Sequence, residues 1–295
     1  MGKKQLMKGY GLVIFSALLF GCMPLITRYI YAEGVNRESV VLLRNLLALP
    51  VLAVLTWRQD RSFGIPGKIL PAICIIALMG CCITPLLLYG SYQYIATGVA
   101  TVFHFVYPAV VVLIGLIFLK KKVRKGTVFA VLLCVAGICF FYNPAEPLDL
   151  TGAILALGSG LTYGIYVILL SVFRRQAVSG FKLSFYISVV CSIVMLIVCV
   201  AGGLITVPAT PEGWLWCVVL ALVVNVGAVV AFQIGTFIIG GERASILSTV
   251  EPLTGVIIGA AVFGEKITGF TGFGAALVIA ACILIAISDK KGRVN

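Results

Sequence analysis

The sequence predicts an all-α integral membrane protein: ten transmembrane helices built as two inverted five-helix repeats, with both termini cytoplasmic. Three observations predict it. The 295 residues are 61% hydrophobic and 11% charged, with a mean hydropathy of +1.16. The basic residues gather in alternate loops, and the chain matches itself at a shift of 144 residues. A soluble domain is about 45–50% apolar and about 25% charged. No water-facing surface can hide this much apolar side chain, so the solvent is lipid.

A bilayer core takes about 20 apolar residues per helix. Runs of that kind recur as spans 1 to 10, at 10–30, 39–57, 70–89, 97–119, 127–142, 150–173, 183–205, 214–237, 244–263 and 270–288. They do not alternate with the period of two that a membrane barrel strand requires, so they read as helices. The start, MGKKQLMK before an apolar run, resembles a signal peptide. The run is too long for one and no cleavage site follows, so it is span 1. Leu6 stands where a myristoylation signal needs Ser or Thr. Span 5, with 16 residues, is the shortest. The ten cysteines all lie inside spans, where a free thiol packs as a small hydrophobe. No Cys-x-x-Cys pair points to zinc or redox chemistry. No metal or cofactor is expected.

The net charge of +12 is distributed like that of a membrane protein, and no nucleic-acid partner is expected. Lys3, Lys4 and Lys8 precede span 1; Arg58, Arg61 and Lys68 lie between spans 2 and 3; Lys120, Lys121, Lys122, Arg124 and Lys125 between 4 and 5. Arg174, Arg175 and Lys182 follow span 6, Arg243 follows span 8, and Lys290, Lys291 and Arg293 follow span 10. Ten spans put all of these on one side, which the positive-inside rule makes the cytoplasm. Anionic lipid headgroups are the expected partners of these basic loops. The other side carries Arg37 and Lys266 with most of the acidic loop residues.

At the 144-residue shift, Ala100 to Pro108 falls on Ala244 to Pro252, and the register holds from there through Val123 on Ile267. At 143, Gly9, Ser16, Phe20 and Gly21 fall on Gly152, Ser159, Tyr163 and Gly164. Residues 9–142 thus read as one five-helix unit, 143–149 as an extracytoplasmic linker, 150–288 as the second unit and 289–295 as a cytoplasmic tail. An odd number of spans per unit turns the second copy upside down, the inverted-repeat plan of secondary transporters. Matching loops carry opposite charge bias: the five-cation loop after span 4 corresponds to Gly264-Glu265-Lys266 after span 9.

The stretch Arg243-Ala-Ser-Ile-Leu-Ser-Thr-Val-Glu251-Pro252, followed by Phe263-Gly264-Glu265-Lys266-Ile267, resembles the EamA family of the drug/metabolite transporter superfamily. Val99-Ala100 with Tyr107-Pro108, the run from Leu43 to Ala48, and Gly21 with Gly164 carry the same resemblance, which covers nearly the whole chain. It implies a ten-helix inverted-repeat bundle around a central cavity, and many members export amino acids or other metabolites. The chain departs at Lys120-Lys121, where the family often repeats Gly-Glu.

Helical spacing places Ala100, His104, Tyr107, Val111 and Gly115 on one face of span 4. The shift places Ala244, Ser248, Glu251, Gly255 and Gly259 on the matching face of span 9. Gly255 and Gly259 have the spacing of a close helix-packing motif. His104, the only histidine, and Glu251 are expensive in a bilayer and so read as functional by default. Each keeps a second reading: His104 as a ring hydrogen-bonded between helices, Glu251 as a structural carboxylate at the bend that Pro252 makes. Pro108 is the corresponding structural proline in span 4. Phe20, Tyr163, Tyr166 and Asn225 are further candidates for the cavity lining, beside His104, Tyr107, Ser248 and Glu251. Arg28 reads as a snorkelling residue, whereas Arg44 is open to snorkelling or to pairing within the cavity. Tyr89, Tyr92 and Tyr94 read as an interfacial aromatic belt, as do Trp57, Trp214 and Trp216.

No Gly-x-x-x-x-Gly-Lys-Ser/Thr pattern occurs, so ATP is not the direct energy source. The expected function is secondary transport, by export, of a small metabolite such as an amino acid. The expected site is the plasma (inner) membrane of a bacterium, with alternating access around the central cavity; a monomer suffices for an inverted repeat in one chain. A passive channel or lipid flippase of the same fold is the alternative. A membrane-embedded enzyme comes last, because one histidine and scattered carboxylates make no catalytic cluster.

Overall fold

The computed structural model describes residues 3–95, 97–120, 125–140, 149–173, 178–263 and 269–291. Every apolar run lies on helix. Span 1 is α1 (Lys3–Phe20) and α2 (Met23–Ala32); span 2 is α3 (Arg37–Leu46) and α4 (Leu49–Asp60). Span 3 joins α5 (Leu70–Ala77) to α6 (Thr84–Ser91) through a π-helical stretch at Leu78–Ile83. Span 4 is α7 (Thr97–His104) and α8 (Tyr107–Ile117), and span 5 is α9 (Lys125–Cys139). In the second half, α10 (Leu150–Phe173) and α11 (Gly180–Ala201) are continuous. Span 8 is α12 (Pro211–Leu220), a π-helical stretch at Ala221–Val229, and α13 (Val230–Ile239). Span 9 is α14 (Gly241–Leu247), a 3-10 turn at Ser248–Val250, and α15 (Glu251–Phe263); span 10 is α16 (Gly269–Lys291).

Among the described residues, six helical segments are long and apolar enough to cross a membrane: Lys4–Ala32, Arg37–Asp60, Gly67–Ser91, Leu150–Phe173, Gly180–Ala201 and Pro211–Ile239. The remaining runs give shorter apolar helices such as Tyr107–Ile117, Lys125–Gly137 and Gly272–Ala281. The outer surface is apolar as well, with Phe118 75% and Leu150 71% exposed, a surface suited to lipid rather than water. The chain is a multi-pass membrane protein.

Prolines place most of the interruptions. Pro24, Pro50, Pro85, Pro108 and Pro252 each sit at the second residue of a helix that follows a break or a π stretch. Proline lacks the amide that would bond the carbonyl four residues back, and its ring crowds that carbonyl, so the preceding turn rearranges. The two π stretches occupy matching positions at the repeat shift, although the second contains no proline.

Packing between the halves follows the same correspondence. Helix α1 packs on α13, and their counterparts α10 and α6 pack on each other. Helix α3 packs on α11 and α9 on α16, pairs whose members are counterparts. The loops meet by charge class. After span 2, Asp60 accepts from Ser179 Oγ at 2.5 Å and lies 3.6 Å from Lys182 Nζ, both residues following span 6. At the other end, Asn36 donates to Thr206 Oγ1 (2.8 Å) and Glu33 accepts from the Thr210 amide (3.2 Å). The loops predicted to share a side do touch.

Several expectations fall outside the described residues: the Gly264–Ile267 motif segment, Lys121 to Arg124, Arg174 and Arg175, residues 143–148 of the linker and 292–295 of the tail. Gly255 and Gly259 lie on α15, but their surroundings are also outside the described residues.

Candidate functional site

The prolines that break spans 1, 3, 4 and 9 bring their interruptions together around a small central cavity of about 50 Å³. Span 1 contributes Phe20 and Met23, span 2 Arg44, span 3 Gly80, Cys81, Thr84 and Tyr89. His104 comes from the end of α7, Tyr163 and Tyr166 from α10, and Glu251 from the start of α15.

His104 is 6% exposed, and its Nδ1 lies 2.8 Å from Ser159 Oγ. That hydroxyl donates its one proton to the Ala156 carbonyl at 2.6 Å, so it accepts from His104. The ring therefore carries its proton on Nδ1 and leaves Nε2 as the nitrogen available to the cavity. An aromatic row continues from it: Tyr163 at 5.3 Å, then Tyr166 at 5.4 Å from Tyr163, with Phe232 behind at 6.3 Å. Tyr166 OH accepts from Gln233 Nε2 at 3.3 Å, which holds the ring in place. Gly80 makes room for it, since a Cβ there would run into the Tyr166 ring.

Arg44 is 4% exposed and donates through Nη1 to Tyr89 OH at 2.9 Å. Its Nε is buried without a protein partner. Glu251 receives no hydrogen bond or ion pair from a described residue. The guanidinium and the carboxylate line one cavity, yet no ion pair joins them. Buried charges ordinarily pair, so this arrangement is unusual.

Close backbone approach positions these groups. A Cβ on Gly21 would strike Thr254 and lie 2.8 Å from the Glu251 carbonyl, so only glycine lets span 1 touch the span 9 break. Gly164 does the same for span 4, with Val110 at 2.7 Å and the Tyr107 carbonyl at 3.3 Å.

The profile of the EamA-like transporter family matches residues 7–143 and 150–287. The chain belongs to the EamA-like transporter family. Among similar proteins are an uncharacterized transporter of Archaeoglobus fulgidus, 28% identical over 94% of this chain and 95% of its own length. The uncharacterized inner membrane transporter YicL of Salmonella typhimurium is 24% identical over 96% of this chain and 97% of its own. A solved crystal structure at 14% identity matches 99% of both chains with a TM-score of 0.77, which supports the fold alone.

In this EamA-family chain the cavity gathers six of the candidates read from the sequence: Phe20, Arg44, His104, Tyr163, Tyr166 and Glu251. Three are placed elsewhere. Tyr107 is 1% exposed and packs 4.8 Å from Tyr163, behind the cavity wall. It stays beside His104, with ring centroids 5.5 Å apart, although the helix is interrupted at Phe105 and Val106. Ser248 is 2% exposed at the start of the 3-10 turn and does not reach the lining. Asn225 lies in the π stretch, where Nδ2 donates to Asn45 Oδ1 at 2.9 Å and so ties span 8 to span 2. Tyr94 is exposed, whereas the belt reading fails for Tyr89, which is fully buried beside Arg44. Arg28 is exposed, as a snorkelling residue is, while Arg44 takes the cavity position. Most of the span 3 lining was missed. The sequence signal for it is Pro85, whose break turns Gly80, Cys81 and Thr84 inward.

Proposed function

We propose that this protein is a secondary transporter that exports small zwitterionic metabolites such as amino acids. Ten spans form two inverted five-helix repeats with both termini cytoplasmic, in the inner membrane of a bacterium. The family membership, the paired contacts of corresponding helices and the loops that meet by charge class support this architecture. Export rests on the family resemblance. The observation that carries the substrate class is that Arg44 and Glu251 line one cavity with no ion pair between them. A solute carboxylate bonds the Arg44 guanidinium, its ammonium bonds Glu251, and the row of Tyr163, Tyr166 and Phe20 takes an apolar side chain. His104 Nε2 accepts a further donor. Rocking of the halves about the proline breaks opens the cavity to each side in turn. Basic loops rest on anionic headgroups, and a single chain is sufficient.

A thermal-shift screen of the purified protein against amino acids and their monofunctional analogues tests this. A ligand at a hundred times its dissociation constant stabilises by about 2.7 kcal/mol. An amino acid should shift the wild type, its amide and its deaminated acid should not, and the shift should vanish in Glu251→Gln. Equal shifts from the analogues would remove the zwitterion reading. Flux through liposomes that does not saturate with solute would replace the transporter with a channel.

A further inference from the structure

A second concavity lies far from the central cavity, at the end of the bundle that carries the basic loops. It is an open groove of about 610 Å³ between spans 1, 2, 7 and 8, so both halves build it. Its rim holds two cations, Lys8 from α1 and Arg58 from the last turn of α4. Both side chains are exposed, and neither has an ion pair or hydrogen bond with a described residue. Its wall is apolar: Leu55, Phe181, Ile234 and Phe237. Phe181 and Ile234 belong to a small apolar cluster with Ala48, Leu52, Ala221 and Val230, so the floor is packed and fixed. Asp60, beside Gln59 of the rim, is engaged by Ser179 Oγ and by Lys182.

We infer that this groove binds one anionic phospholipid, with its phosphate between Lys8 and Arg58 and an acyl chain along Phe181, Ile234 and Phe237. Charge complementarity selects the occupant. Two unpaired cations above an apolar slot match a phosphate joined to a hydrocarbon chain. A soluble anion leaves the slot unfilled, and a zwitterionic lipid brings a second, repelled cation. The location agrees, because the leaflet at the basic ends of the spans is the one rich in anionic lipid, and basic pockets between helices there hold such headgroups. Because spans 1 and 2 belong to one half and spans 7 and 8 to the other, the lipid bridges the parts that move past each other. The inference is independent of which solute crosses the membrane.

The test uses delipidated full-length protein in detergent, titrated with phosphatidylglycerol, phosphatidylcholine, glycerol 3-phosphate or inorganic phosphate, and read by native mass spectrometry and thermal shift. Phosphatidylglycerol should bind with a stoichiometry of one and raise Tm; the other three should not. The Lys8→Ala/Arg58→Ala double variant should keep the lipid-free Tm and bind phosphatidylglycerol about thirtyfold more weakly, two basic contacts being lost. Lys68→Ala, a basic residue outside the groove, should bind as the wild type does. Undiminished binding by the double variant overturns the site. An equal response to phosphatidylcholine overturns the headgroup assignment, and stabilisation by inorganic phosphate alone makes it an anion site rather than a lipid site. If the double variant loses Tm without lipid, Arg58→Gln and Lys8→Gln, measured singly, must each weaken binding or the inference fails.

Discussion

The breaks in spans 4 and 9 use the same backbone device for different ends. Each has a proline at the second residue of the outgoing helix, Pro108 or Pro252, and a glycine of a neighbouring helix pressed against it, Gly164 or Gly21. Their side chains diverge. In span 4 the polar residue, His104, is tethered to Ser159 and keeps one nitrogen for the cavity. In span 9 the polar residue is Glu251, which has no described partner. The two are not counterparts: at the repeat shift His104 matches Ser248, and Tyr107 matches Glu251. Duplication supplied the shape twice, whereas the chemistry is written once, with one anchored ring and one carboxylate without a described partner lining the same space.

The largest expected effect is on the free side. Glu251→Gln should weaken solute binding at least about thirtyfold, since losing one member of a buried charge contact costs about 2–5 kcal/mol. It should leave Tm of the empty protein nearly unchanged, because the carboxylate has no partner to lose. A large fall in Tm would make Glu251 a structural group and erase the contrast. The glycines come next. Gly21→Val and Gly164→Val should each destabilise by about 1–3 kcal/mol through overpacking, seen as lower Tm in matched detergent. Unequal losses would mean that the two breaks are not packed alike.

The anchored side should respond less. His104→Ala and Ser159→Ala should each cost about 0.6–1.7 kcal/mol, the range for hydrogen bonds between membrane helices, and a double-mutant cycle should show that the two losses are shared. Full additivity would show that the ring is not tethered. The smallest effect belongs to Ser248→Ala, whose buried hydroxyl has no partner. Its Tm should move by less than the equivalent of about 0.5 kcal/mol. A strong loss of solute binding there would return Ser248 to the site.

Much of the architecture was legible in the sequence because it depends on local quantities. Hydropathy over about 20 residues marks a span, a proline marks a turn that cannot close, and a repeat shift marks duplication. Pro24, Pro50 and Pro85 carried the same signal as Pro108 and Pro252, so the breaks of spans 1, 2 and 3 were readable too. The site was readable only in part. A stripe drawn at helical spacing keeps Tyr107 beside His104, yet of the two only His104 reaches the cavity lining. Tyr89 sits at a span end, where aromatic residues usually face the interface. Only its contact with Arg44, 45 residues earlier, shows otherwise.

By itself the sequence determined the membrane class and the helical runs, which follow from composition within a short window, and the two-unit plan, which follows from the repeat. Which polar groups share a cavity was decided by the tertiary structure alone. His104 meets Ser159 across 55 residues and Asn225 meets Asn45 across 180. No local period encodes such meetings; they arise when broken helices pack and each buried polar group either finds a partner or is left facing the space between the halves.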